Sequence, residues 1–162
     1  MLLQWLQIEP ADVEVRAYLA RAYLDSGRHK DAIEEYKTLL QFDPKNGIAL
    51  NSLAWELQDE AASEAMHYAQ QAFEITPDDA AVVDTLGWLL VKNHDLLNGI
   101  TLLRKAVALD PDTPEIRFHF ARALLEATDT AQARTELETV VGTKKQFSQR
   151  EEARSLLAKI GR

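Results

Sequence analysis

Cysteine is absent from the 162 residues. That removes disulfides, thiolate nucleophiles and cysteine-based zinc sites, and leaves the compartment open. Glycine is scarce: the six glycines are isolated, so there is no phosphate-cradling loop. Aromatic residues make up only 7% of the chain while alanine is frequent, a mix that suits helices packed at small residues rather than a β-sandwich. No apolar run approaches the ~20 residues of a membrane-spanning helix. The N-terminal MLLQWLQIEP is apolar but lacks a basic n-region and a small-residue cleavage site, so it is not a signal peptide. Positive charge is in deficit: 18 Lys and Arg stand against 26 Asp and Glu, for a net charge of −8. This argues against a nucleic-acid surface, which needs clustered cations. The four histidines, His29, His67, His94 and His119, form no ligand-spaced cluster, so no metal site is expected. Paired acids such as Glu34–Glu35 and Asp78–Asp79 read as solvated helix surface. With no nucleophile–base pairing visible and no cofactor motif, the chain is not expected to be an enzyme.

What is present is a period. Pro10, Pro44, Pro77 and Pro111 are spaced by 34, 33 and 34 residues. A fixed period near that length marks a repeat array, in which each unit buries its apolar face on its neighbours. The expected organisation is a single all-α array: a partial repeat at 1–12, full repeats at 13–46, 47–79, 80–113 and 114–142, and a capping helix at 148–161. Each repeat reads as two helices around a tight turn. Asp12 caps the first helix of repeat 1, which runs to about Asp25; Gly27 supplies a positive-φ turn; the second helix runs from about His29 to Phe42. Repeat 2 is one residue shorter, between Leu57 and Ala65. Repeat 3 turns at Asn93-His94-Asp95, where His94 has a conformational role. Repeat 4 opens with Thr113 as N-cap and Pro114 at the first helical position, and Asp129 with Gln132 can form a capping box. A second capping box, Ser148 with Glu151, opens the last helix. Its Ala153, Leu156, Leu157 and Ile160 lie on one face and charges on the other, as a terminal cap requires.

The start at Met1 reads as the last two turns of a second helix. The native chain is therefore expected to continue upstream, the alternative being a genuine start whose short helix acts as a cap. Residues 142–162 carry six basic side chains against two acidic ones, a local charge of +4. Such an end could meet an acidic partner or a membrane surface. The simpler reading is that Lys159 and Arg162 complement a helix C-terminus and the others are solvated.

Residues fall in columns. Small side chains recur where two helices cross: Ala20, Ala54, Gly87 and Ala121 on first helices, and Ala32, Ala65, Gly99 and Ala133 on second helices. Leu19, Leu53, Leu86 and Phe120 flank them, then Tyr23, Leu57, Leu90 and Leu124. Tyr36, Leu103 and Leu137 fill a further column, with Ala69 the exception. These columns and the proline stop, best seen in YLARAYLDSGRHKDAIEEYKTLLQFDP and TLGWLLVKNHDLLNGITLLRKAVALDP, resemble the tetratricopeptide repeat family over essentially the whole chain. Where that family often has an aromatic early in the first helix, this chain has Arg16, Leu50, Val83 and Arg117. The resemblance implies a right-handed α-α superhelix with a concave groove lined by first helices, a scaffold that binds peptides or protein segments. The stretches NSLAWEL, EAMHYAQQAFEITPDDAAVVDTLGWLLV and LLRKAVALDPDTPEIRFHFARALLEA also resemble repeats of a bacterial envelope lipoprotein of the PEP-CTERM/exosortase system. That resemblance implies a role in exopolysaccharide export or protein sorting, in the periplasm or at the outer membrane; without it the expectation is cytoplasmic.

The groove residues can be read by column on the free side of the first helices. They are Tyr18, Arg21, Asn51, Trp55, Asp84, Trp88, Phe118, His119 and Arg122, with two tryptophans flanked by arginines. Aromatic faces beside planar cations suit a peptide backbone, a carboxylate or a sugar ring. The alternative is that Trp55 and Trp88 simply pack between neighbouring first helices, and that Arg21 and Arg122 are solvated or paired with nearby carboxylates. The residues that chaperone-binding members use to grip a C-terminal carboxylate are not matched, since Ala17, Arg21, Ser52 and Glu115 stand there.

Overall fold

The computed structural model describes residues 2–161. Met1 and Arg162, the latter read above as a helix-end complement, lie outside the described residues. Among these residues are ten α-helices and no strand. They are α1 (Leu2–Ile8), α2 (Val13–Asp25), α3 (His29–Phe42), α4 (Gly47–Glu56), α5 (Ala62–Ile75), α6 (Ala80–Lys92), α7 (Leu96–Leu109), α8 (Pro114–Glu126), α9 (Thr130–Gly142) and α10 (Arg150–Ile160). They gather in two compact units that divide between Pro77 and Asp78. Unit 1 holds α1 to α5 and unit 2 holds α6 to α10.

The helices begin where an acceptor can satisfy the free N-terminal amides. Asp12, Asn46, Asp79, Asp95 and Asp129 accept from the backbone N–H groups of Val15, Ala49, Val82, Asn98 and Gln132. The carboxyl of Asp12 is held below its ordinary value, first by the Val15 N–H and then by the Trp5 indole, which donates at 2.8 Å. Two expected caps do not form. Thr113 donates its hydroxyl to Asp110 Oδ2 at 2.6 Å rather than accepting from its own helix. Ser148 donates to Gln149 Oε1 at 2.8 Å, and α10 starts two residues later, at Arg150. The connection before α10 is organised by Arg150 instead, whose guanidinium donates to the carbonyls of Val141, Thr143 and Lys145.

Three first helices end in the same way. Gly27, His94 and Thr128 have φ of 74°, 65° and 61°. Each following residue bonds back across the turn: Arg28 to Tyr23, Asp95 to Leu90 and Asp129 to Leu124, at 2.8, 2.9 and 2.9 Å. This is the Schellman arrangement, which glycine enters without strain and the β-branched Thr128 does not. Repeat 2 has no such residue. There α4 stops at Glu56, and Ala61 N–H closes a wider turn onto Leu57 at 2.8 Å.

The small-residue columns lie at the crossings: Ala20, Ala54 and Ala121, with Ala32, Ala65 and Ala133, are fully buried. In repeat 3 both partners are glycine. A methyl added at Gly99 would sit 2.6 Å from Val91 Cγ2 and 2.9 Å from Gly87 O. One added at Gly87 would meet Leu103 Cγ at 3.0 Å. The α6–α7 crossing is thus set by backbone against backbone.

The column that departs from the family pattern has its own logic. Arg16 is buried; it donates to Pro10 O at 2.8 Å and pairs with Glu35. Arg117 repeats this, donating to Pro111 O at 2.8 Å and to Glu136 at 2.6 Å. Where the first helix instead carries buried Leu50 or Val83, the second helix carries Tyr68 or Leu102 in place of glutamate. Glu35 is therefore an ion-pair member with 18% of its side chain exposed, and not the solvated surface acid expected of it. A buried guanidinium needs its charge matched, so arginine and glutamate change together.

At the end of unit 2, Ala153 is buried, and Leu156, Leu157 and Ile160 pack with it on Phe118, Ala121, Leu137 and Val140. Phe147 folds in from the connection and meets Phe118 at 6.2 Å. The basic residues here are not simply solvated: Lys145 Nζ donates to Asp112 O at 2.7 Å, and Arg154 pairs with Glu151 at 2.6 Å. At the other end, α1 buries Leu6 and leaves Leu3, Trp5 and Ile8 exposed.

Gly99→Ala is expected to lower stability by about 1–3 kcal/mol, because Val91 is itself buried and cannot yield. An alanine gains roughly 1 kcal/mol over glycine inside an unobstructed helix, so the sign is diagnostic. Denaturant melts of the two proteins measure it, and a variant as stable as the parent would contradict this crossing geometry.

Candidate functional site

The candidate residues stand on four first helices, two in each unit. In unit 1, α2 presents Tyr18 and Arg21, three residues apart and so on one face. Tyr18 is 66% exposed, a large aromatic left in water. The Arg21 side chain is 72% exposed and its Nε lies 3.1 Å from Asp25 one turn on, a surface pair of little energetic weight. On α4, Asn51 and Trp55 are half-buried. Asn51 Oδ1 is buried and has no hydrogen-bond partner among the described residues.

Unit 2 brings its five candidates together. Asp84 and Trp88 come from α6, one turn apart; Phe118, His119 and Arg122 come from α8. His119 Nδ1 lies 2.8 Å from Asp84 Oδ2, and both side chains are buried. The imidazole stacks on the Trp88 indole, centroids 5.1 Å apart and planes at 21°. The Arg122 guanidinium lies over Trp88 at 4.8 Å and reaches Glu152 of α10 at 3.5 Å. Burial pushes the Asp84 carboxyl above its ordinary value, opposed by the hydrogen bond and the charge of His119. Asp84 Oδ1 is buried without a hydrogen-bond partner among the described residues.

The surface expected from the columns is therefore uneven. Tyr18 and Arg21 are open, Trp55 and Arg122 are partly open, and Trp88, at 7% exposure, is part of a packed cluster. Phe118 is 1% exposed and belongs to the core beneath α10, so it offers nothing to a ligand in this conformation. Glu152 was invisible to the column reading because it lies outside the repeat period. Phe147 was hidden in a segment read only for its charge; an isolated aromatic among polar residues was the available signal.

Among the described residues no group of three His, Asp or Glu side chains is placed to hold a metal ion. A depression at the start of α8 is lined by Pro111, Arg117, Thr143 and Lys145. Its cations are already committed, Arg117 to Pro111 O and Glu136, and Lys145 to Asp112 O. No described helix is long and apolar enough to cross a membrane.

The chain matches the family model described as tetratricopeptide repeat over residues 2–55 and 90–160. It is 30% identical over 81 residues to a TPR repeat-containing protein of Pseudomonas aeruginosa, covering 49% of this chain and 14% of that one. It is also 30% identical over 142 residues to cellulose synthase 2 operon protein C of Komagataeibacter xylinus, covering 85% of this chain and 10% of that one. The chain thus spans a small part of the length of the curated relatives it matches. Among solved structures it is similar to YrrB, described as a TPR protein with an unusual peptide-binding site. The TM-score is 0.72 at 18% identity, over 98% of this chain and 81% of the other, a likeness of fold.

Replacing Phe118 by alanine is expected to cost about 3–5 kcal/mol, the range for a large aromatic removed from a core. Tyr18→Ala is expected to change stability by less than about 0.5 kcal/mol, as for other exposed sites. Chemical denaturation of both variants separates the core member of the candidate set from the free one. Equal losses would contradict this division.

Proposed function

The chain belongs to the tetratricopeptide repeat family, and on that basis we propose that it is a protein-interaction scaffold whose first-helix face binds a peptide or extended protein segment. The observation that carries this reading is Tyr18, 66% exposed beside the open guanidinium of Arg21. Tyrosine and arginine are the residues in which binding energy concentrates at interfaces, since each joins a flat apolar surface to hydrogen-bond donors. In unit 2, Arg122 is the accessible member, its guanidinium carbon 4.8 Å from the centre of the Trp88 ring. The role is binding and not catalysis, in keeping with the family.

The test is a peptide-library selection on the intact chain, followed by titration of a selected peptide against Tyr18→Ala, Arg21→Ala and Trp55→Ala. Each variant is expected to weaken binding at least about fivefold, roughly 1 kcal/mol. Parental affinity in all three, with unchanged circular dichroism, would remove the first-helix face from consideration.

A second reading concerns setting. The similarity to cellulose synthase 2 operon protein C extends over 85% of the chain. It supports a setting in bacterial exopolysaccharide production over a free cytosolic adaptor. Deleting the gene is then expected to reduce secreted polysaccharide. Unchanged secretion, with no exosortase or polysaccharide genes alongside, would count against this setting while leaving the peptide reading intact.

A further inference from the structure

Unit 1 carries most of the chain's negative charge. Residues 1–77 hold 13 Asp and Glu against 6 Lys and Arg, a formal −7, and residues 78–162 hold 13 against 12, a formal −1. Most cations of unit 1 are already matched. Arg16 pairs with Glu35, Arg21 with Asp25, Arg28 with Asp31 and Lys37 with Glu64. The other two, Lys30 and Lys45, lie outside the first helices. Glu9, Glu14, Glu34, Glu60 and Glu74 are exposed and have no ion-pair partner among the described residues. The potential around this unit is therefore negative, and it reaches about 10 Å into a solution of about 0.1 M salt.

Two helices expose apolar surface within this field, and α3 packs against both of them, α2 and α4. On α2, Glu14, Tyr18, Arg21 and Asp25 recur at helical spacing and form one exposed stripe. The cation of that stripe is met by Asp25 one turn on, at 3.1 Å. Glu14 is left as an unmatched charge one turn before the open Tyr18 ring. On α4, Ile48, Ser52 and Trp55 follow the same spacing; Ile48 is 72% exposed and Trp55 is half-buried. The one charged residue of α4, Glu56, lies 2.7 Å from His29 Nδ1. The face thus offers an aliphatic side chain, two aromatic rings and a carboxylate whose charge is unmatched.

We propose that the first-helix face of unit 1 takes a basic extended segment, one in which lysine or arginine stands beside an apolar side chain. This rests on the first-helix face being the binding surface, and adds the chemistry of what it binds. A ligand cation is drawn both by the Glu14 carboxylate and by the Tyr18 ring, whose quadrupole attracts positive charge. The apolar neighbour removes the Ile48 side chain from water, a favourable transfer. Arg21 keeps its donors for ligand carbonyls, while its charge stays answered by Asp25. The surrounding acids attract basic chains and repel acidic ones. Charge of this kind acts on encounter rate and on the choice of partner more than on raw affinity.

The test selects peptides from a library on the intact chain, then titrates one selected peptide beside a counterpart in which every Lys and Arg is replaced by Glu. The selected sequences are expected to carry lysine or arginine next to apolar residues, and the counterpart is expected to lose binding. Affinity should fall as salt rises from about 0.1 M to about 1 M, where the screening length shortens from about 10 Å to about 3 Å. Glu14→Gln is expected to weaken binding about two- to fivefold and to flatten that salt dependence. Tyr18→Ala should weaken it at both salt concentrations. The reversed peptide and the salt series need no variant, so they decide the charge even if a substitution disturbs the fold. Acidic or uncharged selected peptides whose binding still depends on Tyr18, or equal affinity for the reversed counterpart, would overturn the basic ligand and leave the first-helix reading standing. Basic peptides that bind Tyr18→Ala and Ile48→Ala as tightly as the parent would overturn both.

Discussion

Everything in this chain depends on how closely two helices of a repeat can approach. The small residues that let them do so fix the register of each helical pair, and the register decides which side chains face the core and which remain free. Ala20 with Ala32, Ala54 with Ala65 and Ala121 with Ala133 are fully buried, and at Gly87 and Gly99 even a methyl group is excluded. Close packing of this kind tolerates neither added nor removed volume. It also explains why a chain with few aromatic residues is well packed: the interior is built from many short contacts at small residues, not from a few large side chains.

The repeat architecture was legible because it rests on spacing. The prolines and the small-residue columns are local signals repeated several times, and α2, α3, α6 and α7 lie where those signals put them. The capping boxes were less legible. Thr113 and Ser148 have the right residue types, but each hydroxyl found a nearer partner, Asp110 or Gln149. Sequence shows which groups can cap a helix, and competition among acceptors is settled only in three dimensions. The Arg16–Glu35 and Arg117–Glu136 pairs were legible in principle. Arginine and glutamate recur nineteen positions apart in repeats 1 and 4, and both positions turn apolar in repeats 2 and 3.

The candidate surface divides along similar lines. Column position identifies the side of a helix but not how deeply a neighbour covers it. Tyr18 and Phe118 stand one column apart, yet one is open to water and the other lies beneath α10. What decides between them is α10 and Phe147, both outside the repeat period. The Asp84–His119 bond was equally out of reach. The two residues are 35 positions apart and belong to different columns, so only the stacking of one repeat on the next brings them together.

The central claim is that the first helices carry the binding face. Its most direct test is a chemical-shift map of the isotope-labelled chain with a library-selected peptide. The account predicts that perturbed amides and side chains concentrate on α2 and α4, around Tyr18, Arg21 and Trp55. Perturbations confined to the outer faces of α3, α5, α7 and α9 would contradict it.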